Sequence, residues 1–346
     1  MSGFGEKVRV LQWLDRRVGV PACAVASALR KIGRVFGGEP ARAPVRSLVF
    51  VKLAEQGSTV LAFDAIQQAI ARVGATNVYF LVFENNRFIV DLLGVIPIEN
   101  VLPVRTGSPV QMARSGLGQL RRIRQLGIEA CVDLEFFTRF SALIAWLTGA
   151  RVRVGFHTYF GEGPYRGDLM THRVLYNPHL HTTRAFTSLV LALDQDPAAF
   201  PTFPAIPPRD PAMARFQPSE AEQAEARGIL RAAGVRDGQR LILLNANASD
   251  LLPLRKWDGE NYVALARRLL AEFPDALVGF TGAPSEAAAI QALVDRVGSP
   301  RACCLAGRTT LRQLLVIYGF AEVLVTNDSG PAHFASMTPI DVVALF

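Results

Sequence analysis

Residues 321–335 read Ala-Glu-Val-Leu-Val-Thr-Asn-Asp-Ser-Gly-Pro-Ala-His-Phe-Ala. The apolar run 321–325 predicts a buried strand, and Asp328-Ser329-Gly330 predicts a tight turn before a helix with Pro331 in its first turn. Such a turn presents free backbone N–H groups and the positive end of the helix dipole. The stretch therefore predicts an α/β unit with a site for an anion, although many strand–turn–helix units serve the fold alone.

Strand and helix patterns alternate on the N-terminal side of this stretch. Short apolar runs predict strands at Ser47–Leu53, Asn77–Phe83, Asn100–Val104, Glu129–Leu134 and Arg151–Gly155. Helical patterns lie between them, for example at Thr59–Val73 and Met112–Leu126. Such alternation predicts a parallel sheet with helices on both faces.

A proline-rich stretch, 200–211, fits neither a helix nor a central strand and predicts an interdomain connection. A second series follows it, with helices predicted at Ser219–Ala233, Gly259–Phe273, Glu286–Val297 and Leu311–Tyr318, and strands at Leu241–Ala246, Ala276–Thr281 and Glu322–Thr326. We therefore expect a basic amphipathic segment and linker (1–44), a first Rossmann-like domain (45–199), an interdomain linker (200–218) and a second Rossmann-like domain (219–346).

The composition limits the class of protein. Half of the 346 residues are hydrophobic and 19% are charged, which is typical of a globular chain long enough for two cores. The formal net charge of +7 is compatible with nucleic acid, an anionic membrane or a phosphorylated ligand as partner. The sequence contains no helix-turn-helix, zinc-finger or aromatic-studded basic strand pattern that would favour nucleic acid as the partner. The cysteines and histidines have no metal-ligand spacing, so we expect reduced thiols and no metal.

The N-terminal segment combines basic and apolar residues. Residues 19–29 form an apolar run of 11 residues, with Trp13 and two arginines before it and Arg30, Lys31 and Arg34 after it. A membrane-spanning helix needs about 20 apolar residues, so this run is too short to cross a bilayer. Three alternatives stay open: an interfacial helix with snorkelling basic side chains, a signal peptide, or a helix packed on the first domain.

Residues 326–335 resemble the donor-binding motif of glycosyltransferase family 9, the bacterial heptosyltransferases that build lipopolysaccharide cores. Further segments match the family in order and spacing: Leu48–Leu53 with Gly57, Ala130–Leu134 with Arg139 and Ser141, Arg255–Trp257, Phe280–Gly282 and Leu305–Leu311. The resemblance covers residues 46–346. Each motif is weak by itself, and their common order makes the resemblance specific.

The resemblance implies a GT-B fold, in which two Rossmann-like domains face a cleft. It also implies inverting, metal-independent transfer of a sugar such as heptose from a nucleoside-diphosphate donor, for example ADP-heptose, to a lipopolysaccharide or other lipid-linked glycan. No cofactor besides this donor substrate is expected. Family members continue beyond the apolar run at 342–346, so we expect a truncated C-terminal domain. We expect the enzyme in the cytoplasm, held peripherally at the inner membrane by its basic N-terminal helix.

The candidate donor-binding residues lie in the C-terminal half. The family's motifs carry over to Arg255, Lys256, Glu286, Thr309, Asp328, Ser329, Gly330 and His333. Asn247 and Ser249 are added because they follow the predicted strand ending at Ala246, where ligands of open α/β sheets gather. Some of these residues also have a purely structural interpretation. Arg255 and Lys256 can be a solvated basic pair before a helix, and Glu286 can be a glutamate that the helix dipole favours in a first turn.

The acceptor hydroxyl must lose its proton to a base during transfer. Many family members carry an acid directly after the glycine of the first turn, but here Ser58 follows Gly57. A serine is a poor base unless a neighbour activates it, and Glu55 on the same loop is the alternative. Gly57 and Thr59 are candidate acceptor-binding residues, with helix capping by Ser58 and Thr59 as the structural alternative.

Residues 157–184 predict one long connection rich in tyrosine, histidine and arginine. Loops of this length are usually functional or disordered. We interpret this one as an acceptor lid, with Arg166, His172 and His181 as candidate acceptor-binding residues.

Other functions stay open. Ser58 in place of the family's acid is compatible with a non-catalytic relative that binds nucleotide-sugar or glycan. A GT-B nucleotide-sugar epimerase would act on the donor without an acceptor. A nucleic-acid binder is the least favoured of the alternatives.

Overall fold

The computed structural model describes residue 13 and residues 15–37, 44–157, 165–199, 204–247 and 256–346. These residues divide into two compact units, one ending at Ala212 and the other running from Met213 to Phe346. The boundary lies inside the stretch 200–218 that the sequence predicts as a linker. No helix among the described residues is both long and apolar enough to cross a membrane.

The first unit contains a six-stranded parallel sheet. Its strands are β1 (Leu48–Val51), β2 (Val78–Phe83), β3 (Val101–Val104), β4 (Ala130–Asp133), β5 (Val152–Phe156) and β6 (His172–Val174). Their order across the sheet is β3-β2-β1-β4-β5-β6. The predicted parallel sheet and its first five strands are confirmed, with strand ends shifted by one or two residues.

The sixth strand corrects the prediction of a single long connection over residues 157–184. His172–Val174 pairs in parallel with β5, with His172 opposite Val154. The strand has only three residues, of which two are polar, so no apolar run marks it in the sequence. Residues 158–164 of the predicted lid lie outside the described residues.

The helices of the first unit are α1 (Gly19–Gly37), α2 (Gln56–Leu61), α3 (Phe63–Val73), α4 (Arg87–Leu93), α5 (Pro109–Gln125), α6 (Arg139–Leu147) and α7 (Thr182–Leu191). The predicted single helix Thr59–Val73 is wrong, because the segment starts at Gln56 and divides at Ala62 into α2 and α3. The backbone of Glu55 is left-handed (φ 65°), so the chain turns sharply after β1 and the helix begins early.

Both faces of the first sheet carry an apolar core. On one face, Phe50 packs with Ile66 of α3 and Phe186 of α7. On the other, Val49 belongs to a core that includes Cys23 of α1. Alternate residues of β1 thus enter opposite cores, as expected of a strand buried on both faces. The packed-helix alternative for the N-terminal segment is confirmed by this contact.

Asp64 of α3 fixes the chain that leaves the first unit. Its Oδ1 accepts hydrogen bonds from the backbone N–H of Ala212 (2.8 Å) and from Arg209 (2.8 Å), and its Oδ2 accepts one from the hydroxyl of Thr187 (2.6 Å). Burial by itself would raise the pKa of the Asp64 carboxyl, but the hydrogen bonds from Thr187, Ala212 and Arg209 lower it below its ordinary value of 3.8.

Replacing Asp64 by asparagine is expected to lower the free energy of unfolding at pH 7 by about 1.5–3 kcal/mol, because charge-assisted hydrogen bonds are lost. Since the native pKa lies below the ordinary 3.8, the contribution of Asp64 is complete above pH 3.8 and disappears as the pH falls through the native pKa. Urea unfolding at pH 7 and at pH 3 measures both effects. An Asp64→Asn variant that loses stability in acid as steeply as the wild type would contradict this assignment.

The second unit contains a five-stranded parallel sheet in the order β11-β10-β7-β8-β9. Its strands are β7 (Leu241–Asn245), β8 (Leu277–Phe280), β9 (Ala302–Cys304), β10 (Val323–Asn327) and β11 (Asp341–Leu345). Its helices are α8 (Glu220–Ala232), α9 (Gly259–Glu272), α10 (Ala287–Val297), α11 (Leu311–Tyr318) and α12 (Gly330–Ala335). The predicted elements of this half are confirmed, and the short strand β9 is added to them.

The strand order of each sheet reverses at one place. In the first sheet the reversal lies between β1 and β4, and in the second it lies between β7 and β10. At such a reversal the loops leave the carboxyl ends of neighbouring strands in opposite directions and open a crevice, where ligands of open α/β sheets bind. Candidate functional side chains are therefore expected at the carboxyl ends of β1 and β4 and of β7 and β10.

Candidate functional site

The turn that follows β1 surrounds a buried lysine. The side chain of Lys52 is fully buried, and its Nζ lies 3.1 Å from Oε2 of Glu55 and 3.1 Å from Oε2 of Glu135. Glu135 follows β4, and its Oε1 accepts hydrogen bonds from the backbone N–H groups of Leu53 (2.6 Å) and Ala54 (3.1 Å). Lys52 and Glu135 therefore tie the turn after β1 to the end of β4, where the strand order reverses.

Glu55 forms the exposed side of this turn. Its side chain is 65% exposed, and its φ of 65° is uncommon for a residue other than glycine. The hydroxyl of Ser58 donates to the backbone oxygen of Glu55 (2.9 Å) and to its carboxylate Oε2 (3.2 Å). The structure thus brings the two candidate bases together. Gly57 and Thr59 are buried in α2, and the Thr59 hydroxyl donates to the backbone oxygen of Glu55 (3.3 Å).

Arg166 forms a buried ion pair with Asp133, the last residue of β4. The same carboxylate accepts a hydrogen bond from the hydroxyl of Ser141 (2.8 Å). The guanidinium also donates to the backbone oxygens of Thr138 (3.0 Å) and Phe156. With 2% of its side chain exposed, Arg166 is held by the protein's own acceptors and is not open to a sugar acceptor in this arrangement.

The two candidate histidines of the predicted lid differ in their surroundings. His172 is buried in β6, with Nδ1 2.9 Å from the hydroxyl of Thr171 and Nε2 3.2 Å from the backbone oxygen of Gln195. His181 is exposed at the start of α7, where its Nδ1 accepts a hydrogen bond from the backbone N–H of Thr183 (3.3 Å). Of the three candidate lid residues, only His181 is on the surface.

Asn247 and Glu286 come together at the second sheet. Asn247 follows β7, and Glu286 lies in the loop after β8. Both side chains approach Gly282, since a Cβ built at that glycine would lie 3.3 Å from Nδ2 of Asn247 and 3.1 Å from Oε2 of Glu286. Glu286 also accepts a hydrogen bond from the backbone N–H of Ala283 (2.7 Å). A glycine at position 282 is what leaves room for these two polar side chains.

The side chain of Asn327, the last residue of β10, is fully buried. Its Oδ1 accepts a hydrogen bond from the backbone N–H of Trp257 (3.0 Å), which holds the exposed Lys256 near the end of β10. Its Nδ2 has no hydrogen-bond partner among the described residues, and the same holds for Nδ2 of Asn247. Buried amide donors rarely lack a partner, so these two are donors that the described residues leave unsatisfied.

The turn at residues 328–330 has the predicted form. Asp328 and Ser329 connect β10 to α12, which begins at Gly330 with a proline in its first turn. The hydroxyl of Ser329 donates to the backbone oxygen of Asn327 (3.1 Å). His333 is half-buried in α12, and Thr309 is half-buried in the loop after β9.

Two candidate donor residues, Ser249 and Arg255, lie outside the described residues. Within the described part of the chain, no three His, Cys, Asp or Glu side chains form a group that could hold a metal ion.

The family model described as glycosyltransferase family 9 (heptosyltransferase) matches residues 138–346, more than half of the chain. The chain belongs to glycosyltransferase family 9. The family 9 match contains the crevice between β7 and β10 with all the candidate donor residues. It begins after Glu135, so the turn with Lys52 and Glu55 lies outside the matched region.

Named relatives agree with this family. Over 96 residues the family 9 chain is 31% identical to lipopolysaccharide heptosyltransferase 2 of Salmonella typhimurium, and the match spans 27% of each protein. The solved structure of E. coli ADP-heptose LPS heptosyltransferase II has 17% identity and a TM-score of 0.67, covering 86% of this chain and 84% of its own. E. coli heptosyltransferase WaaC with ADP has 16% identity and a TM-score of 0.61, covering 86% of each chain. At these identities the likeness shows the fold, which is of the GT-B class.

Lys52, Glu135 and Asn327 are candidate functional residues that only the structure identifies. A signal for two of them is present in the sequence, since Lys52 lies inside the apolar run of a predicted strand and Glu135 directly follows another. A charge at a buried strand needs a partner of opposite sign. Which strands are neighbours, however, is not visible in the local pattern.

Proposed function

We propose that the protein transfers a heptose-type sugar from a nucleoside-diphosphate donor, with ADP-heptose as the first candidate, to a lipopolysaccharide core or another lipid-linked glycan. The proposal includes inversion at the sugar and independence of a metal ion and of any cofactor besides the donor. These finer features rest on the family resemblance. Relatives named as heptosyltransferases, one of them solved with ADP, support the choice of donor.

The proposal is carried by the side-chain Nδ2 donors of Asn247 and Asn327, which have no hydrogen-bond partner among the described residues. Both lie at the carboxyl ends of neighbouring parallel strands, at the place where nucleotides bind in doubly wound sheets. A nucleoside diphosphate offers the oxygen and nitrogen acceptors that these two donors lack. The remaining members of the proposed donor site are Ser249, Arg255, Lys256, Glu286, Thr309, Asp328, Ser329, Gly330 and His333.

We propose Glu55 as the catalytic base, with Gly57, Thr59 and His181 kept as proposed acceptor-side residues; the buried Arg166 and His172 are not proposed to contact the acceptor. A carboxylate oxygen of Glu55 takes the proton of the acceptor hydroxyl while the hydroxyl oxygen bonds to the anomeric carbon of the sugar. The bond between that carbon and the phosphate oxygen breaks, and the nucleoside diphosphate leaves. If Ser58 contacts the acceptor first, its hydroxyl oxygen takes the acceptor's proton as it passes its own proton to Glu55 along their 3.2 Å hydrogen bond.

Replacing Asp328 by alanine is expected to weaken ADP binding about 10–100-fold, because a hydrogen bond to a charged group is worth about 1.5–3 kcal/mol. Calorimetric titration of the full chain with ADP, GDP and UDP measures this effect and selects the nucleotide. Asp275→Ala is the matched control, since Asp275 is an exposed acid just before the amino end of β8, whereas the proposed site lies at the carboxyl ends of the strands. Unchanged affinity in Asp328→Ala would contradict the donor site, and no binding of any nucleotide by the wild type would overturn the proposal.

A lipid-linked acceptor requires the enzyme to work at a bilayer surface. The proposal therefore places the protein in the cytoplasm, peripherally on the inner membrane, with nucleotide-sugar and glycan as its ligands.

A second candidate function, binding of nucleotide-sugar or glycan without transfer, is favoured by Ser58 at the position of the family's acid. A transfer assay with ADP-heptose and lipopolysaccharide acceptors separates the two functions. Binding without transfer would favour the non-catalytic candidate. Turnover of the donor in the absence of acceptor would instead indicate an epimerase.

A further inference from the structure

Helix α1 is attached to the first unit by a face of small and polar residues. Cys23 and Ala26 enter the core on that side of the sheet. The hydroxyl of Ser27 accepts a hydrogen bond from the backbone N–H of Asp168 (2.8 Å), and Arg30, only 7% exposed, donates to the backbone oxygen of the same residue (2.6 Å). The face that α1 turns towards the protein is thus fixed by hydrogen bonds as well as by packing.

Gly167 shows how close this attachment is. Its φ of 71° favours glycine, and a Cβ built there would lie 2.6 Å from the hydroxyl oxygen of Ser27 and 2.8 Å from the backbone oxygen of Cys23. The segment that carries Gly167 and Asp168 therefore lies directly against the helix backbone. Helix α1 is a rigid part of the first unit.

The large apolar side chains of α1 point away from the unit. Val25, Leu29 and Ile32 are 61%, 53% and 55% exposed, and Val18, just before the helix, is 46% exposed. Their spacing of seven, four and three residues places them on one stripe of a helix. A helix on a globular domain normally buries such a stripe. In α1 the pattern is inverted, with small and polar residues inside and the large apolar side chains outside.

Basic residues accompany the apolar stripe. Arg16, Arg17 and Lys31 are exposed, whereas the half-exposed Arg34 lies 3.9 Å from the carboxylate of Asp168; residues 16–37 contain no aspartate or glutamate. An apolar stripe with basic neighbours is complementary to a bilayer that carries anionic lipids. A second copy of the chain fits this surface poorly, because a symmetric contact would bring the basic residues of two α1 helices together.

We propose that α1 binds the surface of an anionic bilayer, lying parallel to it, with the stripe in the interface and the basic side chains at the lipid phosphates. The inference identifies the surface behind the membrane association included in the proposed function, and it stands on α1 alone. It is therefore tested without substrate.

Sedimentation of the full chain with vesicles measures the affinity. We expect binding to vesicles of phosphatidylethanolamine and phosphatidylglycerol, and at least about tenfold weaker binding to phosphatidylcholine vesicles. Leu29→Ser/Ile32→Ser and Arg17→Gln/Lys31→Gln should each weaken binding to the anionic vesicles about tenfold or more. Val110→Ser/Leu117→Ser is the matched control, because these two apolar residues of α5 are 69% and 53% exposed and should leave binding unchanged.

Three outcomes would overturn the inference: no binding of the wild type to anionic vesicles, equal binding to both vesicle types, or equal loss in the control variant. Gel filtration without lipid measures the oligomeric state. A wild-type dimer that becomes a monomer in Leu29→Ser/Ile32→Ser would show that the stripe binds a second copy of the chain, and would also overturn the inference. Sugar transfer to a water-soluble acceptor is measured separately. Vesicle binding without transfer would leave the inference standing and the proposed reaction refuted.

Discussion

Replacing Glu55 by glutamine is expected to slow sugar transfer about 10²–10⁴-fold, the usual contribution of a general base. Glutamine keeps the size of the side chain but cannot take the proton of the acceptor hydroxyl. Initial rates at saturating donor and acceptor measure the loss, and calorimetry with ADP should show unchanged donor binding. Glu84→Gln is the matched control, because Glu84 directly follows β2 of the same sheet.

The contribution of Lys52 can be separated from that of Glu55 by a double-mutant cycle. The pair Lys52→Met/Glu135→Gln avoids leaving one buried charge alone. If the pair acts by holding the Glu55 carboxylate, it slows transfer in the wild type but costs little more once Glu55 is glutamine. A Glu55→Gln variant with wild-type rate would show that the base is elsewhere, and fully additive losses would show that Lys52 and Glu135 act independently of Glu55.

Replacing Arg166 by methionine is expected to lower the free energy of unfolding of the first unit by about 3–5 kcal/mol, because the carboxylate of Asp133 is left buried without its counter-charge. Asp133 has no exposed surface and lies at the end of a central strand, so water cannot replace the guanidinium. Chemical unfolding followed by tryptophan fluorescence and circular dichroism measures the loss.

Two further variants test whether the loss of stability comes from the buried, unpaired carboxylate of Asp133. Adding Asp133→Asn to Arg166→Met removes the stranded charge while keeping acceptors for its neighbours, and should recover most of the loss. Arg231→Met breaks an exposed ion pair with Asp237, in which the two side chains are 61% and 66% exposed, and should change the stability little because solvent screens such a pair. An Arg166→Met variant as stable as Arg231→Met would mean that the buried pair contributes little, and would free Arg166 for a role towards the acceptor.

Most strands of the two sheets could be predicted from the sequence. The reason is that parallel strands buried on both faces are continuous apolar runs. β1, β4, β7 and β10 are such runs, and turns or helix starts mark their ends. β6 and β9 have three residues each: His-Arg-Val is mostly polar, and Ala-Cys-Cys is apolar but too short to predict a strand by itself. What places them in a sheet is the edge of a neighbouring strand, which is a property of the fold and not of the local sequence.

The same distinction applies to the candidate site: some of its contacts follow from the local sequence, and others exist only because of the fold. The proximity of Glu55 to Ser58, and the turn at Asp328, follow from spacing within one loop. The contact between Lys52 and Glu135 joins residues 83 positions apart, and it exists because β1 and β4 are neighbours. For the same reason, Arg166 resembles an available basic residue in the sequence, whereas its partner Asp133 lies 33 positions away.

The rigid attachment of α1 has a consequence for how the enzyme would meet its acceptor. A basic tail on a flexible linker would raise the local concentration of protein at a membrane but leave the protein free to rotate. Because α1 is locked against the segment at Gly167 and Asp168, a bilayer that holds the stripe also holds the first unit at one height and one tilt. In the proposed reaction, encounter with a lipid-linked acceptor would then be a search in two dimensions by a molecule whose proposed acceptor-side turn already has a fixed orientation, which would lower the entropy lost on docking.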